Sequence, residues 1–465
     1  MKLISEHPFV SAQSGLTVRL HRLDNGLQVL LLRDPAAPIF AYQTWFRVGS
    51  RHEREGKTGI AHLFEHLMFN QTEHLQPGEF DRLMETAGGQ TNAATWVDWT
   101  YYQDDLPAAD LPLVVRLEAD RMQHLTIQPH QVESEREVVI NERRLRVEDD
   151  VEGFLSEELF RLAFTQHPYR WPTIGWMRDI KALSLDDCRH FYRTFYAPNN
   201  ATIVLVGDFE EAQALDLIGG HFGKIPAAVL PEPPSLVEPL QTEERRASYE
   251  KPIATERLVL GYKAPAHNDP QHLHLRLLSS VLMGSASAAL YRELVIQREI
   301  ASSLSGSVTP FKDPGLWEIS VSLRRGHSAQ EALSVIESHL QRGSERPVAE
   351  AELARAKALS LTRFYLDLRT AHGKAESLGH YETTGGDYRL LFQVAEATAK
   401  VTPEDLLAVA RTLSPTRRTV LMATPLPDGE DGGDDDEGDG GGGSDDEAPR
   451  GALNRRARGG AEVRP

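Results

Sequence analysis

The chain has 465 residues, 40% of them apolar, and 68 acidic against 50 basic side chains give a formal net charge of −18. Such a length fits two or three folded units of about 150 residues each. The negative balance argues against nucleic acid as a partner, and no stretch approaches the ~18 uncharged apolar residues that span a bilayer, so no membrane is expected either.

Met1 to Pro8 holds one lysine and no apolar run, so no secretory signal is expected there. Thr17 to Leu23 alternates, Asp24-Asn25-Gly26 supplies turn chemistry, and Leu27 to Leu32 has a buried-strand pattern, which together predict a β-hairpin. Ile39 to Val48 reads as another strand. A helix is expected from about Thr58 to Phe69, and a shorter one from Pro77 to the stop at Gly88-Gly89. Gln90 to Gln103 is rich in Thr, Trp and Tyr and reads as a strand or hairpin. From Gln131 to Phe164, acidic residues come early and Leu and Val recur at helical spacing, which predicts a long helical region. Cys188 is the only cysteine and cannot pair internally. It reads as a small buried apolar residue, which fits a reducing compartment or a fold that needs no disulfides, and the chain is expected in the cytoplasm. Ala201 to Val206 is a strand pattern, followed by a helix from about Glu210 to His221.

Five prolines between Pro226 and Pro239 make residues 226–247 a semi-rigid connector. Beyond it the order of elements recurs. A strand (Arg257 to Tyr262) precedes helices from Asp269 to Met283 and Ala286 to Arg298. Strands Ser303 to Pro310 and Leu316 to Leu323 come next, then long helices from Ser328 to about Val394. A last strand, Arg418 to Ala423, mirrors Ala201 to Val206. The chain thus reads as two divergent copies of one α+β unit, residues 1–225 and 248–425, with a tail at 426–465. Eleven acidic residues crowd positions 428–447 among glycines. They leave too little apolar surface to offset ordering, so the tail is expected to be disordered and solvating.

One pentapeptide carries chemistry. In His62-Leu63-Phe64-Glu65-His66, two imidazoles four positions apart on a helix lie on one face and can grip one metal ion. Glu65 can reach a water on that metal, so the inverted order H-x-x-E-H points to zinc hydrolysis. A catalytic zinc usually takes three protein ligands and leaves the fourth position open. The helix after Gln131 offers Glu133, Glu135, Glu137 and Glu142. Glu135 and Glu142 are seven apart on one face, which makes that pair the natural source of a ligand and its support.

The pentapeptide does not stand alone. Gly88-Gly89-Gln90-Thr91-Asn92-Ala93-Ala94-Thr95, followed by Asp98, Thr100 and Tyr102, resembles the G-G-x-x-N-A-x-T strand of the pitrilysin/insulinase family of inverted-motif zinc peptidases. His167-Pro168-Tyr169 with Pro172 and Gly175, and Phe195 to Asn200 before Gly207-Asp208, match the same family. The likeness covers about residues 17–424 and is greatest to its bacterial members that resemble the mitochondrial processing peptidase. It implies one Zn2+ per chain, held by His62, His66 and Glu142, with Glu65 as catalytic base and Glu135 as the supporting glutamate of the catalytic group. It implies two homologous α/β sandwich domains, each a mixed, largely antiparallel sheet covered by helices, and a clamshell dimer closing over a peptide. The strand holding Asn92 and Ala93 is then an edge to which an extended substrate adds.

Family members that work alone carry an arginine and, seven residues on, a tyrosine in their second half. Here Val295 and Ser302 fall at those positions. Neither can give a charge-assisted hydrogen bond to a developing oxyanion. Arg292 and Arg298 sit nearby, but helical spacing points them to either side of that face. The chain is therefore expected to be the zinc-bearing subunit of a heterodimer whose partner supplies Arg and Tyr. A homodimer in which Arg292 or Arg298 substitutes is the second choice, and a non-catalytic assembly protein the third.

Overall fold

A computed structural model describes residues 1–10, 14–232 and 237–427; nearly all of the acidic tail lies outside them. Seven strands form the first sheet: β1 (Lys2–Pro8), β2 (Thr17–Arg22), β3 (Gln28–Arg33), β4 (Ile39–Phe46), β5 (Gln90–Thr95), β6 (Thr100–Pro107) and β7 (Ala201–Gly207). Their order is β1-β2-β3-β7-β4-β6-β5. Only β3 and β7 run parallel. Period-two burial divides each central strand between two faces. On β3 and β7, Val29, Leu31, Ile203 and Leu205 face one core, whereas Leu30, Leu32, Val204 and Val206 face another. A sheet covered on both sides explains the unbroken apolar run of β7.

The first half also contains α1 (Ile60–Leu67), α2 (Glu79–Thr86), α3 (Leu111–His124), α4 (Pro129–Arg143), α5 (Val151–Ala163), α6 (Met177–Ala182), α7 (Leu185–Phe195) and α8 (Glu211–Phe222). The long helical region expected from Gln131 to Phe164 is made of two helices. A π-helical turn over Arg144–Glu148 follows α4, and α5 starts anew with the Asp150 carboxylate accepting from Gly153 N–H. Cys188 is fully buried, as expected.

The second sheet comprises β8 (Arg245–Lys251), β9 (Arg257–Lys263), β10 (Ala301–Val308), β11 (Leu316–Leu323) and β12 (Arg418–Pro425), in the order β10-β11-β9-β12-β8. β8 begins inside the segment read as connector. Its helices are α9 (Pro270–Met283), α10 (Ala289–Tyr291), α11 (Ala329–Glu345), α12 (Glu350–Asp367), α13 (Ala371–Gly385), α14 (Leu390–Lys400) and α15 (Pro403–Ala410). The strand orders of the two sheets coincide: β8-β12-β9-β11-β10 repeats β3-β7-β4-β6-β5, with the parallel pair in the same place. The recurrence of elements in the sequence is thus a recurrence of topology.

The halves trade helices. α5, from the first half, lays Leu155 and Leu159 on Val259, Leu421 and Ala423 of the second sheet. α13, from the second half, covers the outer face of the first, with Ala375 and Leu378 packed in the cluster of Ala41 and Trp45. Gly379 permits that approach, because a Cβ there would lie 2.1 Å from Trp45 Nε1. A buried polar cluster also joins the halves. The Arg51 guanidinium donates to Asp98 (3.0 Å) and to Asp313 (2.6 Å), and Asp98 further accepts from Tyr169 Oη (2.9 Å) and Lys312 N–H (2.9 Å). His167 Nε2 lies 3.1 Å from Asp313. Asp98, His167 and Tyr169, noted in the sequence as motif residues, therefore hold the two halves together.

Candidate metal and catalytic site

The motif helix α1 is positioned from its N-terminus. Gly59 caps it at φ 87°, and a Cβ on Gly175 would stand 2.4 Å from Gly59 Cα, so two glycines are needed where these segments touch. The first N–H groups of a helix have no partner within it. Here the Glu53 carboxyl accepts two such bonds from outside, from Gly59 N–H and Ala61 N–H, both at 2.9 Å. Burial drives the Glu53 carboxyl up to about 8, against the pull of those donors. Thr58 Oγ1 donates to Asp179 (2.8 Å) and accepts from Trp176 N–H (2.9 Å).

One turn presents His62 and His66 toward α4, with ring centroids 4.9 Å apart. Glu142 Oε2 lies 3.7 Å from His62 Nε2 and 3.5 Å from His66 Nε2. Glu135 stands on the other side of the same imidazole, 3.5 Å from His66 Nδ1, and its second oxygen accepts from Asn70 Nδ2 at 3.1 Å. The structure thus brings the two glutamates of one α4 face to one histidine. Glu133 and Glu137 make no such approach among the described contacts. Burial opposes charge on His66, but the hydrogen bonds to Glu135 and Glu142 outweigh it and raise the imidazole to about 10. Burial alone would raise Glu142, yet His66, His62 and Arg146 bring it down to about 2. Burial and the neighbouring His66 lower His62 to about 4, so it is neutral and free to donate a lone pair.

These groups fit a zinc ion. One donor atom each from His62, His66 and Glu142 falls within 4.8 Å of the others. Ligands about 2.0–2.2 Å from one tetrahedral zinc stand roughly 3.3 Å apart, close to the measured separations. Two neutral-capable imidazoles with one carboxylate, and a fourth position left open, are a usual catalytic donor set.

Glu65 lies beside this set without belonging to it. Thr95 Oγ1, at the end of β5, donates to Glu65 Oε2 at 2.5 Å. Burial raises the Glu65 carboxyl above its ordinary range, against that hydrogen bond. β5, which carries Asn92 and Ala93, is the outermost strand of the first sheet and pairs only with β6 among the described strands. Ala93 is buried, and Asn92 is half-buried. Three contributors escaped the sequence reading: Glu53, Asn70 and Arg146, whose Nη1 lies 2.9 Å from Glu142 Oε1. Arg146 follows Glu142 by four residues, a spacing that could have pointed to it. Glu53 reaches α1 from a loop and leaves no periodic trace.

In the second half, Val295 packs partly buried against that half's core, and Ser302 Oγ donates to Ser322 O at 3.1 Å. Both belong to local structure. Residues Arg292–Gln297 form a π-helical turn, so the angular positions inferred for Arg292 and Arg298 from α-helical spacing do not hold. Arg298 is engaged by Glu331 at 3.1 Å and Glu293 at 3.6 Å.

Two family models match consecutive stretches of the chain. Insulinase (Peptidase family M16) spans residues 28–175, which include His62, Glu65, His66, Glu135 and Glu142, and the Peptidase M16 inactive domain spans 182–360. A zinc protease, PqqE, of Helicobacter pylori is 31% identical over 364 residues, covering 77% of this chain and 82% of that protein. The chain belongs to the M16 peptidase family. Among other M16 relatives, the mitochondrial-processing peptidase subunit beta of Blastocladiella emersonii is 25% identical, covering 84% of each chain. The crystal structure of a protease from Helicobacter pylori superposes on this M16 chain with a TM-score of 0.84 at 30% identity, covering 88% of this chain and 99% of that one. No helix among the described residues is long and apolar enough to cross a membrane.

Proposed function

We propose that this chain is the zinc-bearing subunit of a metalloendopeptidase that hydrolyses extended or unfolded peptides, with residues 1–225 as its metal-binding half and 248–425 as a half without metal. The observation that carries the reading is the place of Glu65. It sits between the His62, His66 and Glu142 donors and the edge strand, tied to the latter through Thr95. When bound, zinc supplies a lowered pKa for water and polarisation of the scissile carbonyl. The remaining work falls to the chain's own groups. Glu65, desolvated so that its carboxyl holds a proton more tightly than usual, takes the proton of the attacking water and later delivers one to the leaving amine. Glu135 fixes the His66 ring through Nδ1, and Asn70 fixes Glu135 in turn. β5 offers unpaired backbone groups at which an extended peptide adds as a further strand, placing its backbone beside Asn92 and Ala93.

The Val295 and Ser302 positions of the second half offer no positive charge to the carbonyl oxygen. Val295 and Ser302 are committed locally, and Arg298 is held by Glu331 and Glu293. A homologous subunit bearing Arg and Tyr, closing on this one as a clamshell, completes the site. The word "subunit" in the name of the relative from Blastocladiella emersonii supports pairing, and the single buried cysteine supports a cytoplasmic location. The experiment is peptide turnover by the purified chain alone and mixed with an Arg/Tyr-bearing homologue, for the native protein and Glu65→Gln. Turnover should rise at least tenfold on mixing and vanish in Glu65→Gln, with zinc content unchanged. Full turnover by the lone chain would replace the heterodimer with a homodimer, and none under either condition would leave an assembly protein.

A further inference from the structure

A second donor cluster lies outside the site above. The turn that leaves α1 is tied to the end of α3 by backbone bonds, Glu73 N–H to His124 O (2.9 Å) and Thr126 N–H to Gln71 O (3.1 Å). This brings His74 across to Asp120 and His124, which are four residues apart and therefore share one face of α3. His74 Nδ1 lies 2.5 Å from Asp120 Oδ1, and Thr72 Oγ1 donates to the other carboxylate oxygen. The two imidazoles meet edge to face with centroids 4.7 Å apart. One donor atom each from His74, Asp120 and His124 falls within 4.8 Å of the others, the same criterion that the His62, His66 and Glu142 set meets. Glu73 Oε2, 3.2 Å from His124 Nδ1, is a fourth donor at the rim.

We propose that His74, Asp120 and His124 form a second site for a borderline divalent cation, Zn2+ or Ni2+, that braces the fold. Imidazole and carboxylate together select such ions over Mg2+ and Ca2+, which prefer oxygen alone. Asp120 is the anchored ligand, its side chain 11% exposed, whereas His74 is 60% exposed and lies on the solvent side of the cluster. A roughly 3.3 Å ligand separation on tetrahedral zinc requires His74 and Asp120 to part by less than 1 Å. The site is open to solvent, so its ion exchanges faster than one held at the buried His62. Its consequence is mechanical. A cation there clamps the turn to α3, and Asn70, at the start of that turn, holds Glu135 against His66.

The test uses the full chain, stripped by chelator and titrated calorimetrically with Zn2+ alone, with millimolar Mg2+ present to occupy oxygen-only sites. The native protein should take two equivalents. His62→Ala/His66→Ala should take one and show a Zn2+-dependent rise in apparent Tm. Adding His74→Ala/His124→Ala should remove both the equivalent and the rise. Asp120→Asn, which keeps hydrogen bonding at the turn, should weaken the second equivalent at least tenfold, and serves if the quadruple variant does not fold. The proposal is overturned if His62→Ala/His66→Ala binds no Zn2+, or if its equivalent survives both the loss of the two surface histidines and Asp120→Asn.

Discussion

Replacing Glu53 by alanine tests whether the metal helix is held from outside its own sequence. The residue is 8% exposed, and its carboxyl accepts from Gly59 N–H and Ala61 N–H, both at 2.9 Å. Its removal strands two donors in a dry setting, each costing about 1–3 kcal/mol. Water entering the vacated space recovers part of that sum, which leaves about 3 kcal/mol, or roughly a 100-fold rise in local opening. The assay is hydrogen exchange at Leu63 and the amides that follow it in α1. These bond within the helix, Leu63 N–H to Gly59 O at 2.9 Å, and do not touch Glu53. Opening of the helix should weaken zinc binding at least tenfold, as loss of ligand support commonly does. Glu53→Gln keeps the volume and one acceptor and should fall between. Unchanged exchange at Leu63 in a folded Glu53→Ala protein would refute the reasoning.

Further outcomes are expected. Glu142→Gln should lower zinc retention in metal analysis while leaving the apo fold intact, separating its role from that of Glu65. Arg51→Ala leaves Asp98 buried at 3% side-chain exposure with its ion partner gone, and should lower stability to denaturant by about 3 kcal/mol or more; a loss below about 1 kcal/mol would make the pair dispensable. Gly379→Ala, forced against Trp45, should cost about 1–3 kcal/mol in thermal unfolding, whereas Gly343→Ala, with open space around it, should gain about 0.5–1 kcal/mol. Lys263 sets a pH dependence. Its Nζ is buried 3.4 Å from the Phe164 ring centroid, and burial lowers its ammonium from 10.5 to about 7, outweighing the attraction of Glu238. The unfolded chain therefore holds that proton more tightly. The penalty is complete below about pH 7 and fades as pH rises toward 10.5. Lys263→Met should raise the apparent Tm at pH 6, with the gain shrinking by pH 9.

The elements legible in the sequence were those with strong local grammar. The β2–β3 hairpin follows from Asp24-Asn25-Gly26 between apolar runs, and β7 from an unbroken apolar segment. β1 and β8 were missed because they are edge strands whose side chains are largely wet, as their mostly exposed and half-buried residues show. α3 was missed because Glu118 and Arg121 are buried within it and interrupt the apolar stripe. The candidate ligands were partly readable because a helix repeats every 3.6 residues, so His62 and His66, like Glu135 and Glu142, share faces, whereas the choice of Glu142 as third ligand came only with the family resemblance. The groups that steady them were not. Glu53 acts from a loop, and the Asp98 cluster closes through Lys312 and Asp313. The angular argument for Arg292 and Arg298 failed for a different reason, since a π-turn replaces the expected α-helix.

The exchange of α5 and α13 has a mechanical consequence. A chain whose halves met only through residues 226–247 could bend there, opening and shutting like a jaw. Here each half wears a helix of the other across an otherwise bare apolar sheet face, so bending would peel both helices away at once. The two described halves are therefore expected to move together. On the subunit reading, a long peptide reaches Glu65 only when this subunit swings away from the one facing it. The gate then belongs to the assembly, and mutations that tune entry should be sought at its contact surfaces.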